Sequence, residues 1–202
     1  MTEKSVTFTS AGLSMEALLE ERDGDAGVVV CHPHPQFGGD MRNSVVDALV
    51  EAYGDKGYTT LRFNFRGMGK SQGSHDNGVG ETDDLVEAAG YLKGLGKSRV
   101  HLAGYSFGSW ICALAAPGLD HPPMAWVAPP VNMLKFPQTT MPGLHTVVVG
   151  QQDHFAPPET VEKLMPVWNR SAGLSVIAGT DHFFMACADR LAATLALSIP
   201  AP

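Results

Sequence analysis

Short runs of β-branched and other apolar residues alternate along the chain with longer segments in which apolar residues recur every three or four positions. The short runs predict strands and the longer segments predict helices. The predicted strands cover residues 5–9, 13–20, 27–32, 59–65, 99–103, 124–128, 145–149 and 175–178. The predicted helices cover residues 43–56, 81–95, 107–116, 159–169 and 183–197. This alternation is typical of βαβ units around a mostly parallel sheet.

The pattern predicts one α/β domain over residues 1–202, with about eight strands flanked by helices. The first two strands are expected to form an antiparallel entry hairpin. Open sheets of this class bind ligands beyond the carboxyl ends of their strands, because loops from several elements converge there. Residues that directly follow predicted strands are therefore the first candidates for a functional site.

The charge of the chain narrows the possible partners. Its 202 residues carry 14 Lys and Arg against 21 Asp and Glu, a net charge of −7, and the basic residues are scattered singly. Nucleic acids and acidic membrane surfaces are recognised by clustered basic residues, so neither is expected as a partner.

No apolar stretch reaches the length of a membrane span, and the first residues do not resemble a signal peptide, which favours a cytoplasmic location. The three cysteines lie in apolar sequence, which predicts buried free thiols.

A candidate nucleophile follows the predicted strand 99–103. Gly104, Ser106 and Gly108 form a GxSxG motif between this strand and a helix of small residues. The sharp turn of such a motif strains the central residue and needs glycines on both sides for the close approach of its neighbours. A second GxSxG match centres on Ser71, but no helix-forming sequence follows it. The context therefore favours Ser106, with a simple packed turn as the alternative.

A serine hydroxyl needs a general base and an acid that orients the base. Asp153 and His182 each follow a predicted strand, and the chain order serine, aspartate, histidine is one that known triads use. Asp181 is the alternative candidate for the orienting acid, although it adjoins His182 in sequence and adjacent side chains rarely point at each other. The alternatives are a surface histidine at position 182 and a helix-start cap at position 153.

The tetrahedral intermediate of acyl transfer also needs N–H donors for its oxyanion. One donor is expected from Phe107, directly after the nucleophile. The loop of residues 32–39 can supply the other from His34, Gln36, Phe37 or a glycine, but not from its two prolines, which lack an N–H.

These residues resemble the α/β hydrolase superfamily, specifically the small lidless members related to dienelactone hydrolases, which carry HPHP followed by GG in the oxyanion loop. The resemblance runs from Val28 to His182, and the stretch 62–71 is similar to the RGxGxS turn of that group. It implies that Pro33 occupies the glycine position of the HGx loop and that His34 supplies the N–H of the oxyanion hole. Dienelactone hydrolases use a cysteine nucleophile, whereas position 106 is serine, so the resemblance does not imply dienelactone as the substrate.

Two cofactor alternatives compete with the serine mechanism. His32 and His34 form an HxH pair that, with Asp153 and His182, is a candidate metal site, although no fourth group stands at ligand spacing in the sequence. The flanking prolines constrain His34, which disfavours that arrangement. Residues 64–71 look like a phosphate-binding loop, but the first position is asparagine and no helix follows. We therefore expect neither a cofactor nor a metal.

The segment between the strands 124–128 and 145–149 is too short for a helical cap, which predicts an open site. Apolar residues in loops near the triad are candidates for its walls, or for simple loop packing: Phe37, Tyr105, Met133, Leu134, Phe136, Phe155 and Phe183. The expected partner is a small-molecule acyl ester or thioester, cleaved through an acyl-enzyme on Ser106. The alternatives are a peptidase, amidase or acyltransferase on the same triad, and a scaffold that binds a ligand without turnover.

Overall fold

The computed structural model describes residues 3–185 and 187–202, and eight strands in this part of the chain form one sheet. The strands are Lys4–Ser10 (β1), Leu13–Glu20 (β2), Ala26–Cys31 (β3), Thr59–Phe63 (β4), Arg99–Tyr105 (β5), Met124–Val127 (β6), Leu144–Gly150 (β7) and Gly173–Ile177 (β8). Each overlaps a strand predicted from the apolar runs. The eight-stranded, mostly parallel sheet expected from the sequence is therefore confirmed.

Five helices connect or flank these strands in the described residues. They are Ser44–Asp55 (α1), Val79–Gly94 (α2), Phe107–Ala115 (α3), Pro158–Trp168 (α4) and Ala188–Ser198 (α5). Helix α1 packs against α5, and α2 packs against α3. Every residue of β3 is buried, which requires cover on both faces of the sheet. None of the helices that the structure describes has the length and apolarity to span a membrane.

The strand order β1-β2-β4-β3-β5-β6-β7-β8 determines which loops meet. Strands β1 and β2 pair antiparallel as the predicted entry hairpin, and β2 also runs antiparallel to β4. The pairs from β4 through β3 to β8 are parallel, so their carboxyl ends share one edge of the sheet. In register, Cys31 at the end of β3 faces Gly104 of β5, and Gly150 at the end of β7 faces Ile177 of β8. The loops after β3 and β5 therefore begin side by side, and so do the loops after β7 and β8.

The last helix begins later in the structure than the sequence predicted. The apolar run from Phe183 predicted a helix over 183–197, but α5 begins at Ala188. The backbone of Phe184 has a φ of 56°, a left-handed conformation that an α-helix does not contain. The side chain of Asp181 accepts a hydrogen bond from the N–H of Phe183 and holds the chain in a turn. Phe183 consequently lies on a loop beside His182 rather than on a helix.

No lid covers the sheet between β6 and β7. The connection, residues 128–143, is described throughout and contains neither a helix nor a strand. Phe136 in this connection is buried, with its ring centroid 5.7 Å from that of Trp126 and 5.5 Å from that of Trp168. It therefore belongs to the core and not to the wall of an open site. Cys31, Cys112 and Cys187 are buried and free, as the sequence predicted.

Candidate active site

Ser106 lies at the turn from β5 into α3, with a φ of 52° and a ψ of −118°. This strained backbone is held because neighbouring elements approach at both glycines of the motif. A Cβ atom at Gly104 would lie 2.5 Å from the backbone nitrogen of Ser109, and one at Gly108 would lie 2.8 Å from the Cβ atom of Cys31. Only glycine fits at either position, so the GxSxG spacing follows directly from the packing of α3 against β3 and β5.

The loops after β5, β7 and β8 bring three polar side chains into one hydrogen-bonded series. The Oγ atom of Ser106 lies 2.9 Å from Nε2 of His182, and Nδ1 of His182 lies 2.8 Å from Oδ2 of Asp153. Because a carboxylate only accepts, Nδ1 carries the proton of the neutral imidazole. Its Nε2 lone pair then faces the serine hydroxyl. All three residues are buried.

The carboxylate of Asp153 is fixed on its other side as well. Its Oδ1 atom accepts hydrogen bonds of 2.8 Å from the N–H groups of Phe155 and Ala156. Asp153 therefore caps the turn before α4, as the alternative interpretation held, and orients His182 at the same time. The side chain of the rival Asp181 is exposed and bonds the N–H of Phe183 instead of the imidazole.

The loop after β3 folds into a tight turn beside Ser106. The carbonyl of His34 accepts hydrogen bonds of 3.1 Å from the N–H groups of Phe37 and Gly39, and its Nδ1 accepts one of 3.2 Å from Gln36. No residue that the structure describes accepts a hydrogen bond from the backbone N–H of His34 or of Phe107. Both N–H groups thus lack an acceptor among the described residues, and His34 and Phe107 line the same cavity as Ser106. Burial, and then the nearby His75, lower the pKa of the His34 imidazole.

A cavity of about 480 Å³ opens above the serine. It is lined by Pro33, His34, Phe37, Gly38, Gly39, Asn43, Tyr105, Ser106, Phe107, Pro130, Met133, Leu134, Phe155, His182 and Phe183. The large apolar side chains of Phe37, Met133 and Phe183 are 76%, 56% and 53% exposed. The site is thus an open, largely apolar cavity with the serine and histidine at its wall.

One solved structure matches the chain over nearly its whole length. It is described as an α/β serine hydrolase homologue from Coxiella burnetii, is 33% identical, covers 99% of each chain and superimposes with a TM-score of 0.91. The family model for the α/β hydrolase fold matches residues 28–122. The chain belongs to the α/β hydrolase family.

Two further relatives agree with this assignment. A structure from Xanthomonas campestris, described as an α/β serine hydrolase without a lid, is 29% identical to this α/β hydrolase, covers 98% of it and 94% of its own length, and has a TM-score of 0.89. An uncharacterised protein of Rickettsia prowazekii is 34% identical over 172 residues, which are 77% of this chain and 71% of the relative. The superfamily resemblance and the lidless architecture expected from the sequence are both confirmed.

The predicted wall residues of this hydrolase divide into two groups. Phe37, Met133, Phe155 and Phe183 line the cavity with their side chains partly or largely exposed, and Leu134 lines it too. Tyr105 also lines it but is buried, and its hydroxyl donates a 3.0 Å hydrogen bond to the carbonyl of His182. Burial raises the pKa of this phenol well above its usual range, so it remains a donor. Tyr105 thus links the strand before the serine to the loop of the histidine.

The two competing motifs of the sequence have structural partners instead. The Oγ atom of Ser71 donates to the carbonyl of Asn64 at 2.6 Å and accepts from the N–H of Glu16 at 3.0 Å. The ring of His32 bonds the carbonyl of Pro33 through Nδ1 and the N–H of Phe65 through Nε2. Burial lowers the pKa of His32 to about 4. Both ring nitrogens of His32 are therefore engaged with the backbone, and the HxH pair does not converge as metal ligands.

Sequence reasoning missed three polar residues near the serine. Asn43 lines the cavity and caps α1 by accepting a hydrogen bond from the N–H of Val45. Its position just before an apolar helical run is a capping signal. His75 packs against His34 and Phe107, and the buried Glu81 lies behind it. Glu81 stands three residues after Gly78 at a helix start, the spacing of a capping box, so local sequence could have revealed that carboxylate.

Proposed function

We propose that this α/β hydrolase is a serine hydrolase that cleaves carboxylic esters or thioesters through an acyl-enzyme on Ser106. The observation that carries the proposal is the hydrogen-bonded series of Ser106, His182 and Asp153 at the wall of an open cavity. Nucleophile, base and orienting acid lie within hydrogen-bond distance of one another, as acyl transfer requires.

The proposed reaction has two steps. The Oγ atom of Ser106 attacks the acyl carbon as Nε2 of His182 takes the hydroxyl proton, and the carbonyl electron pair moves to the oxygen. The N–H groups of His34 and Phe107 stabilise this oxyanion. The intermediate collapses, the bond to the alkoxide or thiolate breaks, and the leaving group takes the proton from His182. Water then attacks the acyl-serine by the same route, which releases the acid and restores the serine.

The cavity favours an uncharged acyl group. None of the described residues that line it is a lysine or an arginine, so it offers no cation for a phosphate or a carboxylate. The rings of Phe155 and Phe183 lie beside His182, and Met133 lines the same cavity, so the cavity suits an apolar chain or ring. A peptide amide is a weaker candidate because its leaving group is poorer, and the open site holds little to bind the flanking peptide.

The first test is labelling with a fluorophosphonate, followed by intact mass. Wild type and Ser71→Ala are expected to take up one adduct, and Ser106→Ala none, because the Oγ atom of Ser106 lies 2.9 Å from a histidine nitrogen whereas that of Ser71 bonds backbone groups. EDTA is expected to leave the labelling unchanged. A folded wild-type protein that takes up no adduct would contradict the proposal and favour a binding scaffold.

The second test separates the substrate classes. Matched para-nitrophenyl esters, thioesters and anilides of the same short acyl group are compared by their kcat/KM values. We expect turnover of the ester and the thioester, with much slower turnover of the anilide, and loss of all three in Ser106→Ala. An anilide hydrolysed as fast as the ester would move the assignment to an amidase on the same residues.

A further inference from the structure

The loop between β4 and α2 places one side chain against both residues that are proposed to supply the oxyanion donors. The ring centroid of His75 lies 4.9 Å from that of His34 and 5.7 Å from that of Phe107. The rings of His34 and Phe107 are themselves 4.8 Å apart. The three rings therefore form a contacting triangle, whose third corner comes from a loop that contributes nothing to the Ser106, Asp153 and His182 series.

A buried carboxylate holds the loop that carries His75. Glu81, in the first turn of α2, accepts hydrogen bonds from the N–H of Asp76 at 2.9 Å and of Gly78 at 2.8 Å. Its side chain is fully buried, and its Oε1 atom lies 2.8 Å from Nδ1 of His75. These two atoms are close, but the contact does not have the geometry of a hydrogen bond. The backbone around His75 is thus fixed mainly by the two N–H bonds, which do not depend on the imidazole.

The opposite end of the same loop is tied to the same helix. Arg66 donates hydrogen bonds to the buried carboxylate of Asp84 through its side chain at 2.7 and 3.1 Å and through its backbone N–H at 3.1 Å. Asp84 lies about one turn after Glu81 on α2. Two buried carboxylates on one helix therefore anchor both ends of the loop. His75 projects from a rigid support towards the oxyanion loop.

The oxyanion loop has less support on its solvent side. The other ring packed on His34 from its own loop is Phe37, at a centroid distance of 4.7 Å, and Phe37 is 76% exposed. The inner side of the His34 ring contacts His75 and Phe107. If the His75 ring is removed, His34 faces an empty space and its loop can move away from Ser106.

We infer that His75 is a positioning residue, which fixes the N–H groups of His34 and Phe107 where the oxyanion forms. The inference rests on the proposed function. Oxyanion donors act at about 2.7–3.1 Å from the oxygen that becomes negative, and a misplacement of about 1 Å can cost a hundredfold in rate. The packing of the His75 ring, and not its charge, holds the two N–H groups in place. We therefore expect that a phenyl ring at position 75 can replace the imidazole.

The test is the second-order rate constant of phosphonylation of Ser106 by a fluorophosphonate, because the phosphoryl oxygen occupies the oxyanion position. Four folded proteins are compared: wild type, His75→Ala, His75→Phe and Ser74→Ala. Ser74 is the matched control, since it is exposed in the same loop. We expect a loss of about tenfold or more in His75→Ala, a rate within about threefold of wild type in His75→Phe, and no change in Ser74→Ala.

Ester hydrolysis provides a readout that general loosening of the structure would not give. In His75→Ala the kcat value is expected to fall by about the same factor while KM changes less than about twofold, because the donors act in the transition state. His75→Phe is expected to restore kcat. If His75→Ala does not fold, His75→Leu replaces it, since leucine fills space without a ring, and a loss of about fivefold or more is expected.

The outcomes separate the inference from the function on which it rests. If wild type is not phosphonylated, the proposed serine hydrolase function fails. If wild type reacts and folded His75→Ala reacts at the same rate, the function stands and the positioning role is overturned. A His75→Phe variant as slow as His75→Ala would also overturn it, because the ring packing would then not be the cause.

Discussion

The two carboxylates next to His182 differ in what each oxygen contacts. Asp153 uses Oδ2 for the imidazole and Oδ1 for two backbone N–H groups, whereas Asp181 is exposed and accepts from the N–H of Phe183. An amide at position 153 cannot serve both sides, because its NH₂ group must face either Nδ1 or the backbone donors. At position 181 an amide oxygen can still accept from Phe183.

We therefore expect opposite results from two otherwise identical substitutions. Asp153→Asn should lower kcat by about 10³- to 10⁴-fold, because the imidazole is held in the wrong tautomer. Asp181→Asn should remain within about twofold of wild type. Steady-state ester hydrolysis at pH 8 measures both, and urea unfolding checks that each variant is folded. Full activity in Asp153→Asn with loss in Asp181→Asn would exchange the two assignments.

At the same scale, the strand-end positions of Ser106, Asp153 and His182 could be predicted from sequence, because a short apolar run marks where each strand stops. The bond from Tyr105 to the carbonyl of His182 could not be predicted. It joins residues 77 positions apart in the chain and depends on how the loop of His182 packs against the end of β5. The ring contacts of His75 were missed for the same reason.

At the scale of elements, the close contact between α3 and β3 positions Ser106 relative to the sheet. Gly108, in the first turn of α3, lies so close to Cys31 at the end of β3 that a Cβ atom added to it would be 2.8 Å from the Cβ atom of Cys31. The oxyanion loop begins at that same strand end. Any side chain at position 108 would therefore push the helix away from both the strand and the loop.

Gly108→Ala is expected to lower the free energy of unfolding by about 2 kcal/mol or more, because its Cβ atom would lie 2.8 Å from the Cβ atom of Cys31 and closer to the backbone of that residue. Gly94→Ala is the matched control, since no atom beyond its chain neighbours and the backbone of its own helix lies within 4 Å of a Cβ added there, at the end of α2. It should leave stability unchanged or raise it slightly. Urea denaturation of both variants measures the difference, and equal midpoints would refute the packing argument.

Two elements show where the spacing of apolar residues predicts the bounds of an element correctly and where it does not. Leu13–Glu20 has the predicted bounds because alternation along an entry strand is a local property. The predicted helix from Phe183 fails because Phe184 adopts a left-handed backbone and Asp181 holds the preceding turn. Apolar spacing describes which side chains are buried, but it does not detect such a turn. The error matters because it concerns the loop that carries His182.

At the scale of the whole molecule, one buried and one partly buried histidine link the free energy of unfolding to pH. His101 on β5 and His145 on β7 lie with their rings 6.1 Å apart, and Nε2 of each is 3.5 Å from a tyrosine hydroxyl, that of Tyr58 for His101 and of Tyr53 for His145. Burial lowers the pKa of His101 and of His145 to about 4, and the charge of His145 adds to the shift at His101. Both are therefore neutral in the folded protein at pH values where the unfolded chain is protonated.

The sign of the pH dependence follows from these shifts. Between the unfolded pKa near 6.5 and the folded pKa near 4, the unfolded chain binds more protons, so the free energy of unfolding falls as the pH falls. Each such histidine contributes a slope of up to about 1.4 kcal/mol per pH unit in that window. Urea unfolding at pH 7.5, 6 and 5 measures the slope in wild type and in His145→Gln, with the exposed His154→Gln as control. We expect a shallower slope in His145→Gln alone, because glutamine does not titrate and the pair at β5 and β7 loses one proton acceptor. Parallel slopes in all three proteins would show that His145 does not contribute to the loss of stability in acid.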